Sequence, residues 1–218
     1  MESPPHSPAE ELANAVTHGM GLVGSVAGAV VLMGRALAQP DRWRALGCGI
    51  FVAALVAVYA ASTLSHVCTL PGWRRTFRIL DQSFIYLLIV GSYTPFALAY
   101  LRSGWWWWLF FGVLWGVAFV GLISKLLFSH RIDAVTIWSY LVLGWLPILP
   151  TPAYLNLVPP TVLVWVLIGG LCYTVGTVFL ILDRRGRYCH AIWHLWVVAG
   201  SVCHYAAVFW FVASAPAV

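Results

Sequence analysis

Apolar runs recur along this chain at the length a helix needs to cross a bilayer, about 20 residues. They fall at Val16–Leu37, Leu46–Val67, Ile79–Leu101, Trp105–Leu127, Ala134–Leu149, Thr161–Leu182 and Ala191–Ser214. Charges or prolines break them at Gln39-Pro40-Asp41-Arg42, Leu70-Pro71-Gly72-Trp73-Arg74-Arg75, Arg102-Ser103-Gly104, His130-Arg131, Pro147 through Pro160, and Asp183 through Arg187. The fifth run is the shortest, and Pro147, Pro150 and Pro152 blur its end. Of 218 residues, 61% are hydrophobic and 9% charged, against about 25% charged in soluble domains. A soluble fold of this size cannot bury so much apolar surface. The runs predict an all-α integral membrane protein, a seven-transmembrane-helix bundle. Residues 1–13 read as a polar N-terminal arm and 14–218 as a single membrane domain.

Seven crossings put the termini on opposite sides. The breaks on the N-terminal side carry Arg74, Arg75, Arg78, Lys125, Arg131, Arg184, Arg185 and Arg187, and those on the other side Arg35, Arg42, Arg44 and Arg102. Basic residues concentrate in cytoplasmic loops, so this asymmetry predicts a cytoplasmic N-terminus and an external C-terminus. The formal charge of +5 is expected to face anionic lipid headgroups at the cytoplasmic face. Nucleic-acid binding is not expected, because no exposed face interleaves basic and aromatic residues. Trp105-Trp106-Trp107-Trp108 reads as an aromatic belt at the external end of the fourth span. Gly24-x-x-x-Gly28 and Gly112-x-x-x-Gly116 suit close helix packing. Cys48, Cys68, Cys172, Cys189 and Cys203 form neither a CxxC nor a disulfide framework and are expected to be buried free thiols. The N-terminus lacks a basic segment followed by an apolar one, so no cleavable signal peptide is expected.

Ionisable groups inside membrane spans are costly and tend to face a bundle interior or cavity. His66 closes the second run, Asp81 opens the third, and His190 and His194 open the seventh. The end of an even span and the start of an odd one share a side, so all four approach the cytoplasmic face. Asp81 follows Arg78 by three residues, and His190 follows Arg187 by three. At 1.5 Å rise, each lies about 4.5 Å inside its last basic residue. His194 sits one turn further in on the face of His190, and Ser62 one turn deeper than His66 on its face. Two imidazoles at this spacing can chelate a cation, and His66 adds a third from another helix. Three protein ligands and an open position make the arrangement of catalytic zinc. Asp81 would join the metal directly or through a water. Ser62 would orient His66 or stabilise an oxyanion.

Competing readings apply to each group. An isolated His-x-x-x-His can form an interhelical hydrogen bond or meet lipid headgroups; the matched depth of His66, Ser62 and Asp81 favours the metal. His6 and His130 read as solvated. His204, ten residues beyond His194 and so about 15 Å deeper, reads as a buried packing histidine. Glu11-x-x-Asn14-x-x-x-His18 shares one helical face and either lines the mouth of the site or satisfies neighbouring helix ends. The sole lysine, Lys125, lies near a span end and not where a retinal Schiff base needs it. A carboxylate at imidazole depth argues against bis-histidine haem.

Taken in order, Glu11-x-x-Asn14-x-x-x-His18-Gly19, Ser62-x-x-x-His66, Arg78-Ile79-Leu80-Asp81 running into Gly91-Ser92-Tyr93-Thr94-Pro95-Phe96, and His190-x-x-x-His194 closely resemble the haemolysin III family. These are the bacterial members of the progestin and adipoQ receptor superfamily, and the resemblance runs from Glu11 to the last span. It implies a seven-helix fold in the bacterial inner membrane with its N-terminus in the cytoplasm. It also implies a zinc ion held by His66, His190 and His194, with Asp81 beside the water on the zinc and Ser62 in the same site. More distant relatives are grouped as membrane-embedded metal-dependent lipid hydrolases. The function expected is a zinc-dependent lipid amide or ester hydrolase in membrane lipid homeostasis, with membrane lipids as substrate or ligand. The alternative is a non-enzymatic membrane-state sensor or receptor-like protein with structural zinc. A third reading, the cytolysin of the family's name, conflicts with spans too poor in polar residues to line a water-filled pore.

Overall fold

The computed structural model describes residues 7–102, 105–128, 133–148, 157–183 and 185–214, leaving aside the side chains of 105–110 and 133–135. They form α1 (Pro8–Leu37), α2 (Arg42–Val67), α3 (Pro71–Tyr100), α4 (Trp105–Phe128), α5 (Asp133–Trp145), α6 (Pro160–Leu182) and α7 (Cys189–Val208). A 3-10 turn at Leu146–Ile148 continues α5, and a π-helical turn at Phe209–Ala213 continues α7. Six of these helices are long and apolar enough to cross a membrane, and α5 contributes a shorter apolar stretch from Thr136 to Ile148. The chain is therefore an all-α, multi-pass membrane protein. A helix is the natural solution in lipid, since it satisfies its own backbone polar groups where no water can.

The first helix begins earlier than the apolar pattern suggests. Ser7 and Glu10 form a reciprocal capping box, and Pro8 occupies the first helical turn, where its missing N–H is not needed. Residues 8–13, read from sequence as part of a polar arm, thus belong to α1. The extension carries Glu10 and Glu11 onto the end of the bundle where α2 ends and α3 and α7 begin. The outward face of α1, with Leu12, Met20, Val23 and Val30, is exposed and apolar, as a lipid-facing surface requires.

α2 packs against α1 on one side and α3 on the other, while α7 packs against α6 and α1. The α2–α3 contact is close at the backbone. A Cβ added to Gly47 would stand 2.8 Å from the Cα of Pro95, and one added to Gly91 would stand 3.0 Å from the Cβ of Ala54. The two small-residue patterns singled out in the sequence behave differently. Gly24, Gly112 and Gly116 face open space, and only Gly28 receives a neighbour, the ring of Tyr205. Spacing alone does not reveal whether a glycine stripe points to lipid or to protein, and here most of it points to lipid.

Polar ties join the peripheral helices to α3. Lys125 donates to Gln82 Oε1 at 2.7 Å, Tyr140 donates its hydroxyl to the Gln82 carbonyl at 2.6 Å, and the Tyr86 and Ser139 hydroxyls meet at 2.7 Å. Lys125 is buried, so its ammonium is held by protein groups. All five cysteines are free, Cys48 buried and the others half-buried. His6, His130 and the Trp105–Trp108 side chains lie outside the described residues.

Gly47→Ala is expected to destabilise the protein by about 1–3 kcal/mol, the usual cost of overpacking a close contact. Gly24→Ala, with nothing within reach of its new methyl group, is expected to be neutral or mildly stabilising. Thermal unfolding in detergent micelles reads both; equal behaviour of the two variants would contradict the packing described.

Candidate metal centre

Three histidines from two helices converge at the end of the bundle where α1 begins. His66 sits in the last turn of α2, and His190 and His194 in the first turns of α7. One ring nitrogen from each lies within 4.8 Å of those of the other two. The turn from α6 into α7 makes this possible. Tyr188 adopts a left-handed conformation with φ 60°, uncommon for a residue with a side chain, and its N–H donates to Glu10 Oε1 at 3.2 Å. The start of α7 is thereby pinned to the first turn of α1.

Each of the three imidazoles is anchored through Nδ1. His66 donates to Glu11 Oε2 at 2.7 Å, and His190 to Asp183 Oδ2 at 3.2 Å. His194 donates to the Asn14 carbonyl at 3.2 Å and to Thr17 Oγ1 at 3.1 Å, while the Thr17 hydroxyl itself donates back to α1 carbonyls. Carboxylate and carbonyl oxygens only accept, which places the ring proton on Nδ1 and the lone pair on Nε2. The Nε2 atoms of His66 and His194 are buried and have no protein partner. A metal-ligating histidine characteristically gives its other N–H to a carboxylate or carbonyl, fixing tautomer and ring direction. The donor set therefore fits a zinc ion. Glu11 is held in turn by Arg74, whose guanidinium bonds its Oε1, with Arg78 at 3.7 Å.

A second chain of contacts adjoins the first. His18 stacks on His194 with ring centroids 3.4 Å apart. Its Nδ1 lies 2.6 Å from Ser62 Oγ, and the Ser62 side chain also interacts with the Asp81 carboxylate. Asp81 is buried, and its Oδ1 has no partner. It stands outside the cluster of mutually close metal-donor atoms. The serine does not orient His66, as its position one turn away on α2 suggests; it turns toward α1 and meets His18. Sequence reasoning left the Glu11, Asn14 and His18 face undecided, and all three belong to the centre. It passed over Thr17 and Asp183. Thr17 adjoins the Asn14–His18 face, whereas Asp183 becomes a partner of His190 only through the fold of the α6–α7 turn.

From His18 and Asp81 a cavity of about 90 Å³ extends between α3, α5, α6 and α7 as far as His204. Its walls are mainly apolar, with Ile85, Leu88, Ile89, Trp193 and Val197 among them. His204 is buried, as its sequence position suggested, and packs between Tyr93 and Tyr173.

Glu11→Gln keeps an acceptor beside His66 but removes the charge that Arg74 and Arg78 hold in place. The expected result is a loss of about 10- to 100-fold in zinc affinity, the usual effect of altering such a supporting group. Competition with a chromogenic chelator measures it, and unchanged affinity would show that Glu11 does not support a ligand.

A family model described as "Haemolysin-III related" matches residues 6–205. "Hemolysin-3" of Bacillus cereus is 35% identical over 206 residues, covering 93% of this chain and 92% of that protein. "Hemolysin-3 homolog" of Bacillus subtilis (strain 168) is 34% identical over 208 residues, covering 95% and 96%. The human "Monocyte to macrophage differentiation factor" is 28% identical over 215 residues, covering 95% and 86%. With the motifs of α1, α2, α3 and α7 folded onto one centre and a family match over most of its length, the chain belongs to the haemolysin III family of the progestin and adipoQ receptor superfamily.

Proposed function

We propose that this protein is a zinc-dependent hydrolase that cleaves an amide or ester bond of a membrane lipid, with His66, His190 and His194 as the zinc ligands. The reading rests above all on one juxtaposition. Imidazoles anchored through Nδ1, with the Nε2 atoms of His66 and His194 unpartnered, adjoin the Asp81–Ser62–His18 chain at the head of an apolar cavity. When bound, zinc supplies a Lewis acid that polarises a carbonyl and makes water a nucleophile near neutral pH. Asp81, through its unpartnered Oδ1, accepts the proton of the attacking water and returns it to the departing nitrogen or oxygen. Ser62 and His18 hold the Asp81 carboxylate in one orientation. The apolar walls at Ile85, Leu88 and Ile89 receive the acyl chain and exclude water from it.

The charge asymmetry of the loops supports a cytoplasmic N-terminus, which sets the centre at the cytoplasmic headgroup layer. Arg74 and Arg78, half-exposed there, suit anionic headgroups. Two relatives carry the word hemolysin in their names. A lytic pore fits this chain less well, because its internal cavity is walled chiefly by apolar side chains. The competing reading is a sensor in which zinc is structural, favoured by ligands drawn from two helices that the ion would tie together.

Zinc-loaded protein in nanodiscs, offered a panel of ceramides, acylglycerols and phospholipids, is expected to release fatty acid detectable by mass spectrometry. Asp81→Asn is expected to retain zinc yet lose about 100-fold or more of that rate, the scale of general acid–base catalysis. His194→Ala is expected to lose both zinc and turnover. No product from any lipid, combined with a lowered melting temperature after zinc removal, would favour the structural role instead.

A further inference from the structure

The deep end of the cavity holds a polar group that the hydrolytic reading does not use. His204 is only 1% exposed, lines the cavity, and has no protein partner for Nδ1. Its ring is fixed in place. Tyr173 stacks on it at 5.6 Å between centroids, and Tyr93 meets it edge-on at 5.9 Å. A Cβ on Gly169 would stand 2.5 Å from its Cδ2 and 2.8 Å from its Nε2, so this edge of the ring lies against α6. The polar groups around it are already engaged. Tyr59 and Tyr173 both bond Ser201 Oγ, at 2.8 and 3.0 Å, Tyr93 donates to the Gly144 carbonyl at 2.7 Å, and Thr174 donates to the Gly170 carbonyl at 2.8 Å.

A histidine that merely filled space here would be outperformed by an apolar residue of similar shape, since a buried polar atom without a partner is costly. Replacing both members of a buried polar pair is cheap, but keeping one alone is not. His204 is among the residues that line the cavity, and a ligand lying there would supply the missing partner. His204 follows His194 by ten residues on the continuous helix α7, which sets it about 15 Å along the helix from the metal centre. That is the reach of roughly a dozen methylenes in an extended chain, whose zigzag bonds of about 1.5 Å each advance it by about 1.25 Å.

We propose that His204 is a recognition site for a hydrogen-bonding oxygen, a hydroxyl or keto group, carried near the twelfth carbon of the acyl chain whose carbonyl lies at the metal centre. The proposal rests on the reading of the cavity as an acyl-chain site. It adds a preference among chains: one bearing an oxygen at this depth satisfies His204, and a plain alkyl chain leaves it unpaired.

Displacement of the fluorescent fatty acid cis-parinaric acid from zinc-loaded protein compares stearic, 5-hydroxystearic and 12-hydroxystearic acids. Wild type is expected to bind 12-hydroxystearic acid about 5-fold more tightly than stearic acid, the effect of one net hydrogen bond, and to show no such gain for the 5-hydroxy isomer. His204→Leu is expected to bring the 12-hydroxy to stearic ratio to about one while leaving stearic acid binding intact. Equal affinities in wild type, or a preference that survives in His204→Leu, would overturn the proposal and leave the lipid reading standing. Failure of all three acids to bind would overturn both. The wild-type comparison decides the matter even if the variant does not fold.

Discussion

The centre depends on the anchoring of three imidazoles through Nδ1 to oxygen acceptors. In lipid there is no water to satisfy a stray N–H, and each unsatisfied group is expensive. The acceptors are therefore part of the bundle's architecture. Glu11, the Asn14 carbonyl and Thr17 follow one another along one stretch of α1, and Asp183 comes from the end of α6. The first turns of α1 thus act as a brace laid across the ends of α2 and α7. Glu10 on Tyr188 and Glu11 on His66 and Arg74 fasten that brace at two points. The same bonds that fix the helices leave the Nε2 atoms of His66 and His194 without a protein partner. Structure and metal-binding capacity arise from one set of contacts.

The position of the centre gives it chemical meaning. It lies where polar loops meet the apolar interior, and it opens into a cavity that runs into the bundle. The lipid substrate we propose would set its polar junction at the imidazoles and its chain along Ile85, Leu88, Ile89 and Val197. Asp81 joins the two regions, since its carboxylate belongs to the polar chain through Ser62 and also lines the cavity. A soluble substrate would use only the mouth of this arrangement and leave the apolar walls unexplained.

Much of this was legible before the fold was known, because lipid imposes simple rules. Spanning runs announce themselves by length and hydropathy, and the boundaries of α2, α4 and α6 fall close to the runs read from sequence. Span order put His66, His190 and His194 at one end of the bundle, and helical rise set the depth of His190 and His194; that the three meet waited on which helices are neighbours. The helical start at Pro8 was written in Ser7-x-x-Glu10 but hidden by the polarity of the segment. The glycine stripes misled in the opposite direction. A repeat of four gives a face on a helix but not the neighbour that face meets.

The sequence by itself determined the solvent, the number of apolar spans and the depth of each ionisable group along its own helix, since these depend on one chain direction and a fixed rise per residue. Only the tertiary structure decided how far each helix is rotated and which helices are adjacent. That choice paired Ser62 with His18 rather than His66, gave His190 its partner Asp183 through a left-handed turn at Tyr188, and joined the metal centre to a cavity ending at His204. Rotation and adjacency are set by side-chain packing summed over many contacts between distant segments, and no local pattern encodes that sum.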